Sequence, residues 1–310
     1  MTGYRDIVSI AIGLIIVGVA AAGGGNATYH IDIQRDVVFA EPEGVTLGLN
    51  VYQPHDGGEG LRPGMVAIHG GGWRIGPRTQ QGWYCRSFAQ HGYVVVAIDY
   101  RMMPDYPFPA CLEDSKAAVR WLRLHAAEYR VDPDRIVAFG ASAGGHLAAF
   151  LAAARPEDGF EGTENPCASS EVRAAVSLYG AVDLTKYRDP PRRGILGAIG
   201  RSYVGRFAGI DGEMKGLDRY EYASPITYIH AGMPPVFLAH GTADHIVPYE
   251  ESEAFHERLK AAGVATELRL FPKREHGFDY FHQKQRKALF EEMLAFLEKH
   301  NAPRSASESE

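Results

Sequence analysis

The run RIVAFGASAGGHLAAFLAAA, Arg135–Ala154, decides how the rest of the chain is read. Its first residues, Arg135–Phe139, form a continuous apolar stretch of the kind that makes a strand buried on both faces of a sheet. Gly140-Ala141-Ser142-Ala143-Gly144-Gly145 then breaks the strand, and His146–Ala154 resumes as an alanine- and leucine-rich helical run. GxSxG in this strand-turn-helix setting is a sharp elbow whose glycines let the backbone thrust Ser142 outward. The start of the following helix also aims backbone N–H groups at the place where an oxyanion would develop. A serine that merely capped the helix would not need glycine on both sides.

Outward from this elbow the same rhythm repeats. Met65–His69, Tyr93–Asp99, Ala174–Leu178 and Pro235–His240 are further continuous apolar strands, with another expected over Glu267–Phe271. Between them, residues 107–129, 249–262 and 283–299 carry apolar side chains at helical spacing. Alternation of strand and helix predicts an α/β fold with a mostly parallel central sheet and helices on both faces. Ahead of it, Val37–Phe39 and Leu47–Tyr52 flank Glu41-Pro42-Glu43-Gly44 and read as a hairpin. Two stretches break the rhythm: polar residues 155–171, and residues 185–222, where Arg188, Arg192, Arg193, Arg201 and Arg206 stand among glycines and tyrosines. The second is an insertion after the sixth strand and is expected to be a lid over a pocket or a solvated excursion.

The strand Met65–His69 runs into His69-Gly70-Gly71-Gly72-Trp73. Three successive glycines cost chain entropy, and such a turn suits a site where backbone amides must approach a ligand closely. Gly71 and Gly72 are therefore expected to supply two oxyanion donors, with the N–H of Ala143 as the third. A serine hydroxyl is a weak nucleophile at neutral pH and needs a base, which in turn needs an orienting acid. Asp244, in His240-Gly241-Thr242-Ala243-Asp244, and His276, in Glu275-His276-Gly277-Phe278, each follow a strand and fill these roles in chain order. Asp183 also follows a strand and competes for the acid's role; His240, His245 and His282 compete with His276.

The motifs HGGGW at 69–73, GASAGGHLAAF at 140–150, SPITY at 224–228, HGTADHIVP at 240–248 and HGF at 276–278 together resemble the α/β-hydrolase serine esterases related to hormone-sensitive lipase. The nearest branch is similar to the bacterial feruloyl and acetyl-xylan esterases. The resemblance covers roughly residues 33–299. It implies an α/β-hydrolase fold, a triad of Ser142, Asp244 and His276, an oxyanion hole of Gly71, Gly72 and Ala143, and hydrolysis of short-chain acyl, acetyl or aryl esters through an acyl-enzyme on Ser142. The substrate would be a small-molecule ester, including the acylated carbohydrates of that branch. The insertion at 185–222 and the acid motif GTADHIVP depart from the family pattern. Two other readings remain open: a serine peptidase of the prolyl-oligopeptidase type, against which HGGGW argues, and a non-catalytic binding module on the same fold.

Composition narrows the field. With 310 residues, 45% hydrophobic and 23% charged, the chain is an ordinary globular one. Its net charge of −6 removes the attraction that nucleic-acid binders depend on. No metal-ligand spacing and no phosphate-cradling loop is present in the sequence, so no cofactor and no metal are expected. Cys85, Cys111 and Cys167 are an odd number and read as partly buried hydrophobes. Ile7–Ala22 is an uncharged apolar run of sixteen residues, shorter than the roughly 20 needed to span a bilayer. Residues 1–27 are therefore expected to be a signal peptide or a membrane anchor, placing the protein in the periplasm, in the medium or on a membrane. Residues 28–300 would be one hydrolase domain, because a single site drawn from His69 to His276 cannot be shared between independent domains, and residues 301–310, ending in SASESE, read as a disordered acidic tail.

Overall fold

The computed structural model describes residues 28–55, 60–188, 204–209, 213–214 and 217–303. The expected signal peptide or anchor at 1–27 lies outside these residues, as do residues 304–310 of the expected tail and the middle of the insertion; Asn301, the first residue of that expected tail, is instead buried and donates to the carbonyl of Arg135 at 3.3 Å. Eight strands form one sheet: β1 (His30–Ala40), β2 (Leu47–His55), β3 (Arg62–Ile68), β4 (Val94–Ile98), β5 (Val131–Ala141), β6 (Ala175–Leu178), β7 (Val236–Gly241) and β8 (Thr266–Phe271). The order across the sheet is β1-β2-β4-β3-β5-β6-β7-β8. The β1–β2 hairpin is antiparallel and β2 joins β4 antiparallel; all remaining pairs are parallel. This is the expected α/β-hydrolase arrangement.

The unbroken apolar runs arise because both faces of the sheet are covered. Val66 and Ile68 of β3 enter one core while Met65 and Ala67 enter the other, and β4 divides its residues in the same way. Helices α2 (Ala110–Leu124) and α3 (Ala143–Ala153) lie on the first face. Helices α1 (Gly82–Gln90) and α5 (Gln283–His300) lie on the second, and α4 (Glu250–Ala261) packs beside β7 and β8. Among the described residues no helix is long and apolar enough to cross a membrane.

Several boundaries differ from expectation for local reasons. The single helix expected over 107–129 starts at Ala110, behind two prolines, and stops at Leu124. A separate turn, Ala126–Tyr129, ends at Arg130 in the left-handed region, and β5 begins at Val131. The polar stretch 155–171 is pinned to the body. Glu161 accepts from Lys116 Nζ at 2.6 Å and Arg120 Nη1 at 2.7 Å, both cations being buried, and Phe160 is fully enclosed. All three cysteines are free; Cys85 and Cys111 are buried, but Cys167 is exposed, contrary to its reading as a partly buried hydrophobe. Burial pushes the Cys85 thiol up to about 12.

The parallel register levels the strand ends. Ile68 pairs with Gly140, Ala141 with Leu178, Leu178 with Ala239, and Gly241 with Phe271. The loops after β3, β5, β7 and β8 therefore leave one edge together, at the carboxyl ends where α/β sheets bind ligands.

Candidate active site

Ser142 sits between β5 and α3 with φ 57° and ψ −121°. A residue other than glycine holds this conformation only where its surroundings over-determine it. Here the Ser142 N–H donates to the carbonyl of Leu178 at 2.8 Å, and its carbonyl accepts from His146 N at 2.9 Å. The flanking glycines are needed for space: a Cβ on Gly140 would lie 2.1 Å from the carbonyl oxygen of Gly144, and one on Gly144 would lie 2.1 Å from that of Ile68.

The three residues expected to act together are brought together. His276 Nε2 lies 2.8 Å from Ser142 Oγ, and His276 Nδ1 lies 2.6 Å from Asp244 Oδ2. The loops carrying Asp244 and His276 are bonded to each other, since Ala243 N donates to Arg274 O at 2.9 Å and Lys273 N donates to Thr242 Oγ1 at 3.0 Å. Asp244 is buried and Oδ1 accepts the N–H groups of Ile246 and Val247 at 2.8 and 2.9 Å. Burial alone would raise its carboxyl, but hydrogen bonds from His240, His276 and the main chain outweigh it and hold Asp244 well below the usual carboxylate range.

The competing residues fall elsewhere. Asp183 caps the turn Leu184–Tyr187 by accepting from Thr185 N at 3.2 Å. His245 is exposed and faces Glu275 at 3.4 Å, and His282 lies 3.3 Å from Arg274. His240 is buried against Asp244 itself, a relationship that the sequence reading treated as competition. Sequence reasoning also missed Asp279, three residues beyond His276 in the HGFD stretch. It lies wholly inside the protein and accepts the hydroxyls of Tyr179 at 2.7 Å and Tyr84 at 3.0 Å. The Tyr179 ring stands edge-on to the His276 ring at 4.7 Å, so this buried carboxyl braces the histidine from behind.

Gly71, Gly72 and Ala143 line the same pocket as Ser142 and His276. The N–H of Gly70 is committed to Gln80 Oε1 at 2.7 Å. Gly71 has φ +112°, and a Cβ there would fall 1.7 Å from the carbonyl oxygen of Ile75. The pocket has a volume of about 490 Å³, and its walls include Trp73, Tyr179, Val204, Ile246 and Tyr280. Tyr187 and Val204 come from the insertion. Helix 204–208 continues it, and there Phe207 stacks on Trp73.

Fold and site define a protein of the α/β-hydrolase class. The BD-FAE family model matches residues 49–259, and the chain belongs to that family. The chain is similar to the Mycobacterium tuberculosis protein named "Probable carboxylic ester hydrolase LipM", with 35% identity over 71% of this chain and 50% of that protein. It is 33% identical to the carboxylesterase NlhH of the same species, over 77% of this chain and 73% of NlhH. The chain spans about half the length of the first curated relatives it matches. Among solved structures, Thermogutta terrifontis esterase 2 phosphoramylated by tabun superposes with a TM-score of 0.70 at 32% identity, covering 88% of this chain and 97% of that one.

Proposed function

We propose that the protein hydrolyses carboxylic esters through an acyl-enzyme on Ser142. The observation that carries this reading is the hydrogen-bonded line Ser142 Oγ–His276 Nε2, His276 Nδ1–Asp244 Oδ2, opening on an apolar pocket beside Gly71, Gly72 and Ala143. His276 takes the Ser142 proton as Oγ attacks the ester carbonyl. The tetrahedral oxyanion receives hydrogen bonds from the three backbone N–H groups. Collapse breaks the ester bond, and the leaving alkoxide takes the proton from His276. Water, deprotonated by His276, then attacks the acyl group and frees the acid and Ser142. Asp244 holds the imidazole's tautomer and balances the transient imidazolium.

The pocket volume lies in the range of small-ligand sites, and its mostly apolar walls favour a short acyl or aryl group over a charged one. An acylated carbohydrate would place its sugar as the leaving alcohol toward the open mouth. Residues 185–222 would act as the lid that closes this volume, supported by Tyr187 and Val204 in the wall. The apolar leader supports export, or attachment to a membrane, as the setting for this activity. Ser142→Ala should lower hydrolysis of p-nitrophenyl acetate or butyrate by several orders of magnitude and abolish labelling by a fluorophosphonate. Retention of near-parental turnover would overturn the assignment. Cleavage of an aminoacyl amide as efficiently as an ester would favour a peptidase instead.

A further inference from the structure

Two histidines converge on one oxygen of the buried acid. His276 Nδ1 approaches Asp244 Oδ2 at 2.6 Å, and His240 Nε2 approaches the same oxygen at 3.1 Å. His240 Nε2 also lies 3.0 Å from the carbonyl of Val247, which can only accept, so this nitrogen carries a proton and donates. On the far side of the ring, Nδ1 lies 2.7 Å from Ser252 Oγ, in the first turn of α4. In the neutral ring the Ser252 hydroxyl donates to Nδ1 and leaves the Nε2 proton facing Asp244. His240 and Ser252 are both buried.

We infer that His240, fixed by Ser252, is a positioning residue that sets how tightly Asp244 holds the proton of His276. The inference rests on reading Ser142, Asp244 and His276 as the reacting triad. The physical reason is competition. A carboxylate oxygen that accepts two N–H donors gives each of them less than it would give one alone. With the His240 bond in place, the charge of Asp244 is partly satisfied before His276 becomes an imidazolium. Removing that bond leaves more of the charge to His276, which then holds its proton more firmly. His276 must be unprotonated to act as a base, so the acid limb of the pH–kcat/KM profile moves to higher pH.

Other groups face this cluster and stay constant in the comparison. The Tyr179 ring is a neighbour of both imidazoles, at 6.5 Å from His240 and 4.7 Å from His276. Glu251, next to Ser252, directs its carboxyl to the N–H groups of Val182 and Asp183, beside the Asp183 side chain. Asp279 braces Tyr179, and the exposed pair His245–Glu275 flanks the His276 loop.

The test compares His240→Asn with His240→Gln. The Asn amide ends near the Nδ1 position and loses the donor to Asp244, whereas the longer Gln amide presents an N–H near the Nε2 position. The measurement is the pH profile of kcat/KM for a p-nitrophenyl ester, normalised to sites titrated by a fluorophosphonate so that only folded enzyme is counted. His240→Asn is expected to raise the acid limb by about one pH unit, a tenfold change in proton affinity, and to lower kcat with KM little changed. His240→Gln is expected to return the limb toward the parental position. A role confined to packing would reduce the titrated fraction in both variants without moving either limb, and that result would overturn the inference. Should His240→Asn not accumulate as folded protein, Ser252→Ala decides the matter, since it keeps the ring and removes only the hydroxyl that orients its protons. A smaller rise of the limb supports the proposal, and a superposable profile overturns it. Failure of the triad reading would show separately, as activity surviving Ser142→Ala.

Discussion

The indole of Trp73 and the ring of Phe207 lie face to face, with centroids 3.9 Å apart and planes 14° from parallel. Trp73 closes the glycine turn after β3, and Phe207 belongs to the helix 204–208 in the insertion after β6. Both are buried, and the carbonyl of Phe207 also accepts the N–H of Phe108 at 3.0 Å. The insertion is thus fastened to the loop that carries Gly71 and Gly72, and its neighbour Val204 reaches the pocket wall.

Phe207→Ala removes this clamp. Loss of a buried aromatic ring costs about 3–5 kcal/mol, so Tm should fall by roughly 5–10 °C in a domain of this size. The pocket should widen beside Trp73, and the ratio of kcat/KM for octanoate over acetate p-nitrophenyl esters should rise several-fold. An unchanged ratio in a folded variant would mean that the insertion does not shape acyl selection.

The legible parts of the chain were those where a steric or polar demand is satisfied locally. The elbow around Ser142 could be read because Gly140 and Gly144 admit no Cβ, and that demand is written within five residues. Asp244 and His276 followed from chain order and from lying just beyond strands. What could not be read were contacts across the sequence. His240 looked like a rival base because nothing local to HGTAD reveals that its ring lies against Asp244 and Ser252. Asp279 is an ordinary acidic residue until Tyr84 and Tyr179, from two distant elements, close over it. The polar stretch 155–171 stood out only as a break in the rhythm, because the partners of Glu161 are two cations that α2 buries on its own inner face.

Gly71 offers a test of the oxyanion hole that spares the triad. With φ +112° and the Ile75 carbonyl 1.7 Å from where a Cβ would stand, Gly71→Ala must displace the turn. Misplacing or losing one donor typically costs ~10²–10³ in kcat. Ester turnover should fall by that order while fluorophosphonate still labels Ser142, more slowly. Full turnover in the variant would remove Gly71 from the set of donors.

Glu251 makes stability depend on pH. Its Oε2 accepts the N–H groups of Val182 and Asp183 at 3.0 and 3.1 Å, at the entrance to the insertion. Complete burial pushes its carboxyl from 4.5 up to about 8, and the two main-chain donors with the Tyr187 hydroxyl only partly oppose this. Because the folded value is raised, the stabilisation associated with the neutral form is fully present below about pH 4.5 and is lost as the pH climbs through about 8. Glu251→Gln keeps a carbonyl oxygen for the two N–H groups and cannot ionise. The urea midpoint of the parental protein should therefore fall relative to that of the variant between pH 5.5 and 9, by an amount corresponding to a few kcal/mol. Parallel curves for the two proteins over that range would show that Glu251 is not the group that ionises.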